Sequence, residues 1–157
     1  MPVVDMHTHF LPKQWPDLAQ KFGGGEWPSM RHTSPGKAML MQGGKGFRPV
    51  YEACWDPAVR LAEMDRDNVD IQIMSATPIL FSYAKQAKHA HECAKIFNDL
   101  ALDICSHNSN RLKALAQVPL QDIDRSCEEV SRAVKNGHVG VQIGNHVGDK
   151  NLDNEGL

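Results

Sequence analysis

From Asp56 onward, segments with helical spacing alternate with short β-branched runs, and that alternation restricts the chain to a few folds. Asp56-Pro57 reads as an N-cap followed by proline at the first helical position. The helix it opens is predicted to run to about Asp67, where Asn68 can take the left-handed conformation that ends it. Residues 69–76 (Val-Asp-Ile-Gln-Ile-Met-Ser-Ala) alternate and read as a strand. Across 84–107, Ala87, Ala90, Ala94, Phe97, Ala101 and Ile104 recur at three- and four-residue steps, the mark of an amphipathic helix. Residues 112–118 form a further apolar strand, stopped by Pro119. Asp122 is predicted to cap a helix with Ile123, Cys127, Val130 and Val134 on one stripe, closed by Asn136-Gly137. Residues 139–143 supply one more strand. Strands that alternate with helices imply parallel strands joined by right-handed crossovers, which leaves a doubly wound sheet or a (β/α)₈ barrel. A complete barrel typically needs ~250 residues. This chain has 157, so a barrel here is incomplete.

The first strand of the series lies almost at the N-terminus, where residues 3–9 read Val-Val-Asp-Met-His-Thr-His. Side chains alternate along a strand, so Asp5, His7 and His9 are predicted to point one way, with Val4 and Met6 the other. Two imidazoles side by side at a strand end are placed to hold one divalent metal through ring nitrogens. The competing reading is a pair of surface histidines on a frayed terminus. The apolar residues before them, read as buried, favour the metal. Between this strand and Asp56, residues 12–55 are rich in Gly, Pro and Trp and are predicted to be an insertion of loops and a few short strands. Its Gly43-Gly44-Lys45-Gly46 run lacks the spacing of a phosphate-binding loop.

Composition narrows the partners. Apolar residues make up 41% and charged residues 23% of the chain, an ordinary globular balance. A net charge of −2 argues against nucleic acid and against an anionic membrane surface, and no run approaches the ~20 apolar residues of a membrane span. No signal-peptide pattern opens the chain, so Cys54, Cys93, Cys105 and Cys127 are expected to be reduced thiols of a cytoplasmic protein. His32, His89, His91, His107 and His138 fall in loops or on helix faces and are expected to be solvated. His146, just after the last strand, is a candidate for contact with substrate.

Asp5-Met6-His7-Thr8-His9-Phe10-Leu11-Pro12 resembles the opening signature of the amidohydrolase superfamily. Five later stretches, in the same order, are similar to its aminocarboxymuconate-semialdehyde decarboxylase family: Gly46-Phe47-Arg48-Pro49-Val50, Cys54-Trp55-Asp56-Pro57, Ala76-Thr77-Pro78, Gln117-Val118-Pro119-Leu120-Gln121 and Gly140-Val141-Gln142-Ile143-Gly144-Asn145-His146-Val147. The resemblance implies an α/β, TIM-type (β/α)₈ barrel of which about four strands are present. It implies that His7 and His9 are the first two ligands of a single Zn²⁺. It also implies that Arg48 grips a carboxylate of a small dicarboxylate substrate, a task suited to a rigid, permanently charged fork. Asp5 carries no ligand role in the family and is expected to support the strand end. The last strand lacks the lysine that bridges two metals in binuclear members, which fits the single-metal branch.

The family's third zinc histidine, catalytic histidine, zinc aspartate and the arginine lent across its homodimer all belong to later strands. The chain is therefore expected to be an N-terminal half, inactive alone, with no catalytic residue of its own and with a further helix due after Asn154. Two other readings stay open: another carboxy-lyase or hydrolase of the superfamily, or a non-catalytic chain that pairs with a full-length subunit.

Overall fold

The computed structural model describes residues 1–155. In chain order the elements are β1 (Val4–Phe10), α1 (Leu18–Phe22), β2 (Pro28–Ser34), β3 (Lys37–Gln42), β4 (Lys45–Tyr51), α2 (Pro57–Arg66), β5 (Ile71–Ala76), α3 (Ala87–Ser106), β6 (Leu112–Ala116), α4 (Ile123–Asn136), β7 (Gly140–Val141), β8 (His146–Val147) and β9 (Lys150–Asn151). Strands β1, β5, β6 and β7 form one sheet in that order, every pair parallel. Sequential parallel neighbours joined by helices are the opening of a barrel that has not closed. The further helix expected after Asn154 is not seen up to residue 155, and Gly156 and Leu157 lie outside the described residues.

Local chemistry explains the frame. Asp56 Oδ1 accepts from Ala58 N at 2.8 Å and Val59 N at 3.2 Å, and Pro57 fills the first position of α2. Asn68 takes φ 55° where that helix ends. Asp122 Oδ1 accepts from Arg125 N at 3.1 Å to start α4, and Gly137 ends it at φ 108°, a conformation that needs the absence of Cβ. The strands start later or stop earlier than their sequence patterns: β5 opens at Ile71, and β7 holds only two residues.

The insertion is more regular than predicted. β2, β3 and β4 make an antiparallel meander, whose polar run Arg31-His32-Thr33-Ser34 hides the strand pattern. Its Ala38, Leu40 and Val50 join the same core as Phe10, Met74, Phe97 and Leu112 from the parallel layer. Leu11 N donates to Cys54 O at 3.0 Å, tying the chain as it leaves β1 to the end of the meander.

Three expectations are corrected. The α4 stripe Ile123, Cys127 and Val134 faces solvent, while Ser126, Glu129 and Ala133 are buried. Glu129, with no exposed surface, accepts from Asn98 Nδ2 at 2.7 Å and forms a two-pronged contact with Arg132, so α4 packs through a satisfied polar cluster. His91 and His138 are also buried, at 3% and 6% exposure. Met74 is buried on the helix-covered face of the sheet, because its register partners Thr8 and Ala114 share that face. In contrast, Val3, Val4 and Met6 are exposed at 52%, 40% and 65%, since β1 is an edge strand paired only with β5.

Candidate metal centre

The register between β1 and β5 decides where the histidines point. Asp5 lies opposite Gln72 and Thr8 opposite Met74, so β1 takes three steps where β5 takes two. The extra residue is a β-bulge, and a bulge re-aims the side chains around it. Asp5 and Thr8 consequently share the helix-covered face, where Gln72 Nε2 donates to Asp5 Oδ2 at 3.2 Å. His9 lies opposite Ser75 on the other face, and His7, two residues away, shares it. The predicted grouping of Asp5 with the two histidines is thus broken by one residue. Asp5 serves the strand: its Oδ1 also accepts from His7 N at 3.2 Å.

Beneath the bulge sits a buried cation that the sequence reading missed. Arg60 of α2 is 6% exposed, and its Nη1 donates to Thr8 Oγ1 at 3.2 Å and to Gln72 Oε1 at 3.0 Å. Its Nη2 donates to His9 O at 2.9 Å. The sequence held a trace of it: Arg60 is one turn from buried Met64 on the core-facing side of α2.

On the open face the His7 and His9 rings meet edge to face, centroids 5.0 Å apart and planes at 78°. His7 is exposed and His9 half-buried. Burial pulls His9 below the ordinary imidazole value; backbone hydrogen bonding at Ser75 and Ala76 opposes this, while the His7 and Arg48 charges push the same way as burial. The ring is therefore neutral at pH 7, the form able to bind a metal. Arg48 is exposed on β4 opposite Leu40, its guanidinium 5.8 Å from the Phe47 ring centroid. Its positive charge adds to the effects that lower the His9 pKa.

The other candidates lie apart. His146 is exposed and lines a cleft of ≈ 610 Å³ with Tyr83 and Gln142, a lining that excludes His7, His9 and Arg48. There Gly144 N donates to Tyr83 Oη at 3.1 Å, and a Cβ on Gly144 would come within 2.9 Å of the Tyr83 ring. Among the described residues no group of three or more His, Cys, Asp or Glu side chains could enclose a metal. The histidine pair fits two positions of a site whose catalytic zinc form takes three protein donors. All four cysteines are free thiols, and no helix among the described residues is long and apolar enough to cross a membrane.

Residues 4–157 match the amidohydrolase family Amidohydro_2. A 2-amino-3-carboxymuconate-6-semialdehyde decarboxylase of Dictyostelium discoideum is 41% identical over 155 residues, which cover 98% of this chain and 43% of that protein. The chain thus spans less than half the length of that relative. An apo crystal structure of Metarhizium anisopliae IDCase superposes with a TM-score of 0.72 at 21% identity, over 98% of this chain and 45% of the other, a likeness of fold. A 5-carboxyvanillate decarboxylase of Novosphingobium aromaticivorans, crystallised with manganese, gives a TM-score of 0.61 at 28% identity over 66% of this chain and 30% of the other. The family match runs from β1 to the end of the chain and takes in the histidine pair, the bulge and the parallel sheet: the chain belongs to the amidohydrolase family.

Proposed function

We propose that this chain is the N-terminal half of a decarboxylase of the amidohydrolase family, supplying His7 and His9 to a single divalent metal, zinc, and Arg48 to a substrate carboxylate. The observation that carries this reading is the placement of His9 beside His7 on the open face of the sheet, ring centroids 5.0 Å apart. When bound, the metal supplies Lewis acidity to water and to substrate. The chain's own residues do the rest of the work available here. Burial favours the neutral form of His9 without the help of a metal, and Arg60 holds the His9 backbone from the far side of the sheet. Arg48 offers two parallel N–H donors to a carboxylate, fixing a dianionic substrate in one orientation.

The likeness to the Dictyostelium relative favours 2-amino-3-carboxymuconate 6-semialdehyde as substrate; the role in tryptophan breakdown, the cytoplasmic location and the full-length homodimer are part of the proposal and rest on the family resemblance of the sequence motifs. The manganese-containing relative favours the alternative of an aromatic carboxylate. A chimera settles the choice. Residues 1–157 replace the matching part of the Dictyostelium enzyme, and the product is assayed on both substrate classes. Loss of CO₂ from the muconate semialdehyde, abolished by His9→Ala and strongly reduced by Arg48→Lys, is the expected result. A folded, metal-loaded chimera that leaves this substrate untouched overturns the assignment.

A further inference from the structure

The β1–β5 ladder sets Ser75 directly opposite His9, and Ser75 is 2% exposed on a strand whose neighbours Met74 and Ala76 are apolar. Its Oγ lies 3.1 Å from His9 Nδ1 and 3.3 Å from the carbonyl oxygen of Thr8. We propose that Ser75 is a positioning residue for the metal centre, its hydroxyl accepting the Nδ1 proton of His9 so that Nε2 is left as the nitrogen free for a metal. The purpose, though not the contact, rests on the reading of His7 and His9 as ligands.

The inference follows from counting hydrogens. A serine hydroxyl has one proton to give and two lone pairs. The Thr8 carbonyl can only accept, and we assign the serine proton to it. With that assignment, a lone pair of Oγ faces His9 Nδ1, which carries the ring's proton. A neutral imidazole has one such proton, so Nε2 is bare. In water the opposite tautomer predominates, so an unassisted His9 would present the wrong nitrogen to anything arriving on the Nε2 side. The tautomer of a metal-binding histidine is commonly set by the partner of its second nitrogen. Here the partner is on a neighbouring strand, which couples the ring's orientation to the strand register. Burial makes the contact costly to lose, because an unpaired hydroxyl has no water to turn to.

Ser75→Thr and Ser75→Val have nearly the same shape and differ in the hydroxyl. The metal-free chain, labelled with ¹⁵N-histidine, is read by NMR for the His9 tautomer, and Zn²⁺ affinity is measured by competition with a chelating dye. Wild type and Ser75→Thr should show the Nδ1–H form and bind zinc alike. Ser75→Val should move the proton to Nε2 and weaken zinc about 10- to 100-fold. If the added methyl groups disturb packing, Ser75→Ala repeats the comparison without added volume. An unchanged tautomer and an unchanged affinity in the hydroxyl-free variants overturn the proposal. A tautomer that follows the hydroxyl in a chain that binds no zinc upholds the Ser75–His9 pairing and overturns the metal reading instead.

Discussion

Replacing Arg60 with methionine should cost about 2–4 kcal/mol of stability and loosen the histidine pair. Methionine keeps the unbranched stem and deletes the guanidinium, which donates to Thr8 Oγ1, Gln72 Oε1 and His9 O. The Thr8 hydroxyl can rotate to another partner, so two part-buried acceptors lose a charged donor, at about 1–2 kcal/mol each. Part of that loss is returned, because Arg60 has no carboxylate in direct contact among the described ion pairs and burial already pulls its pKa down. Urea unfolding followed by far-UV circular dichroism measures the difference, with the slope checked for constancy. Against a total stability of about 5–15 kcal/mol, the shift should be plain. Arg60→Lys should recover only part of it, since one ammonium cannot reach all three oxygens. A loss below about 1 kcal/mol, with the His9 resonances unmoved, would show that the bulge holds its shape without the cation.

Other outcomes follow from burial and charge. His9 and His138 both titrate below the ordinary histidine value because burial penalises the imidazolium. The unfolded chain therefore takes up protons first as pH falls through ~6.5. Their contribution to stability is complete above that pH and declines below it; a melting temperature flat from pH 8 to 5 would contradict this. Burial pushes the Cys93 thiol up to about 12 and Cys105 up to about 11, while Cys127 is exposed. A thiol-specific dye should label Cys127 first and reach Cys93 and Cys105 only on unfolding. The chain exposes 8834 Å². A 17.5 kDa monomer is expected to expose about 7,900 Å². With Val4 and Met6 open on edge strand β1 and Ile123 and Val134 open on α4, sedimentation should reveal self-association. A monodisperse monomer would refute the open-edge reasoning.

Much of the frame was legible because its signals are local. Asp56-Pro57, Asn68, Asp122 and Gly137 each act within a few residues of themselves, and each does in the structure what its chemistry predicts. What escaped depends on partners distant in sequence. The bulge in β1 exists only relative to β5, so strict alternation put Asp5 with the histidines when it belongs with Thr8 and Gln72. Ser75 acquires its contact with His9 from a register between strands 66 residues apart. On α4 the apolar stripe is turned roughly a quarter turn from the buried one, because Asn98 and Arg132 satisfy Glu129 and make a charged residue the better core neighbour. Nothing local in the sequence signals that His91, on α3, and His138, just after α4, are buried.

The most direct test of the half-site is a zinc titration of the chain and of its His7→Ala/His9→Ala double variant, read by competition with a chelating dye and by metal content after gel filtration. Two imidazoles without a closing third donor should bind zinc weakly and give it up to a chelator, and the double variant should lose even that binding. One zinc per chain surviving chelation and gel filtration would contradict the half-site, and equal binding by the double variant would remove His7 and His9 from the metal altogether.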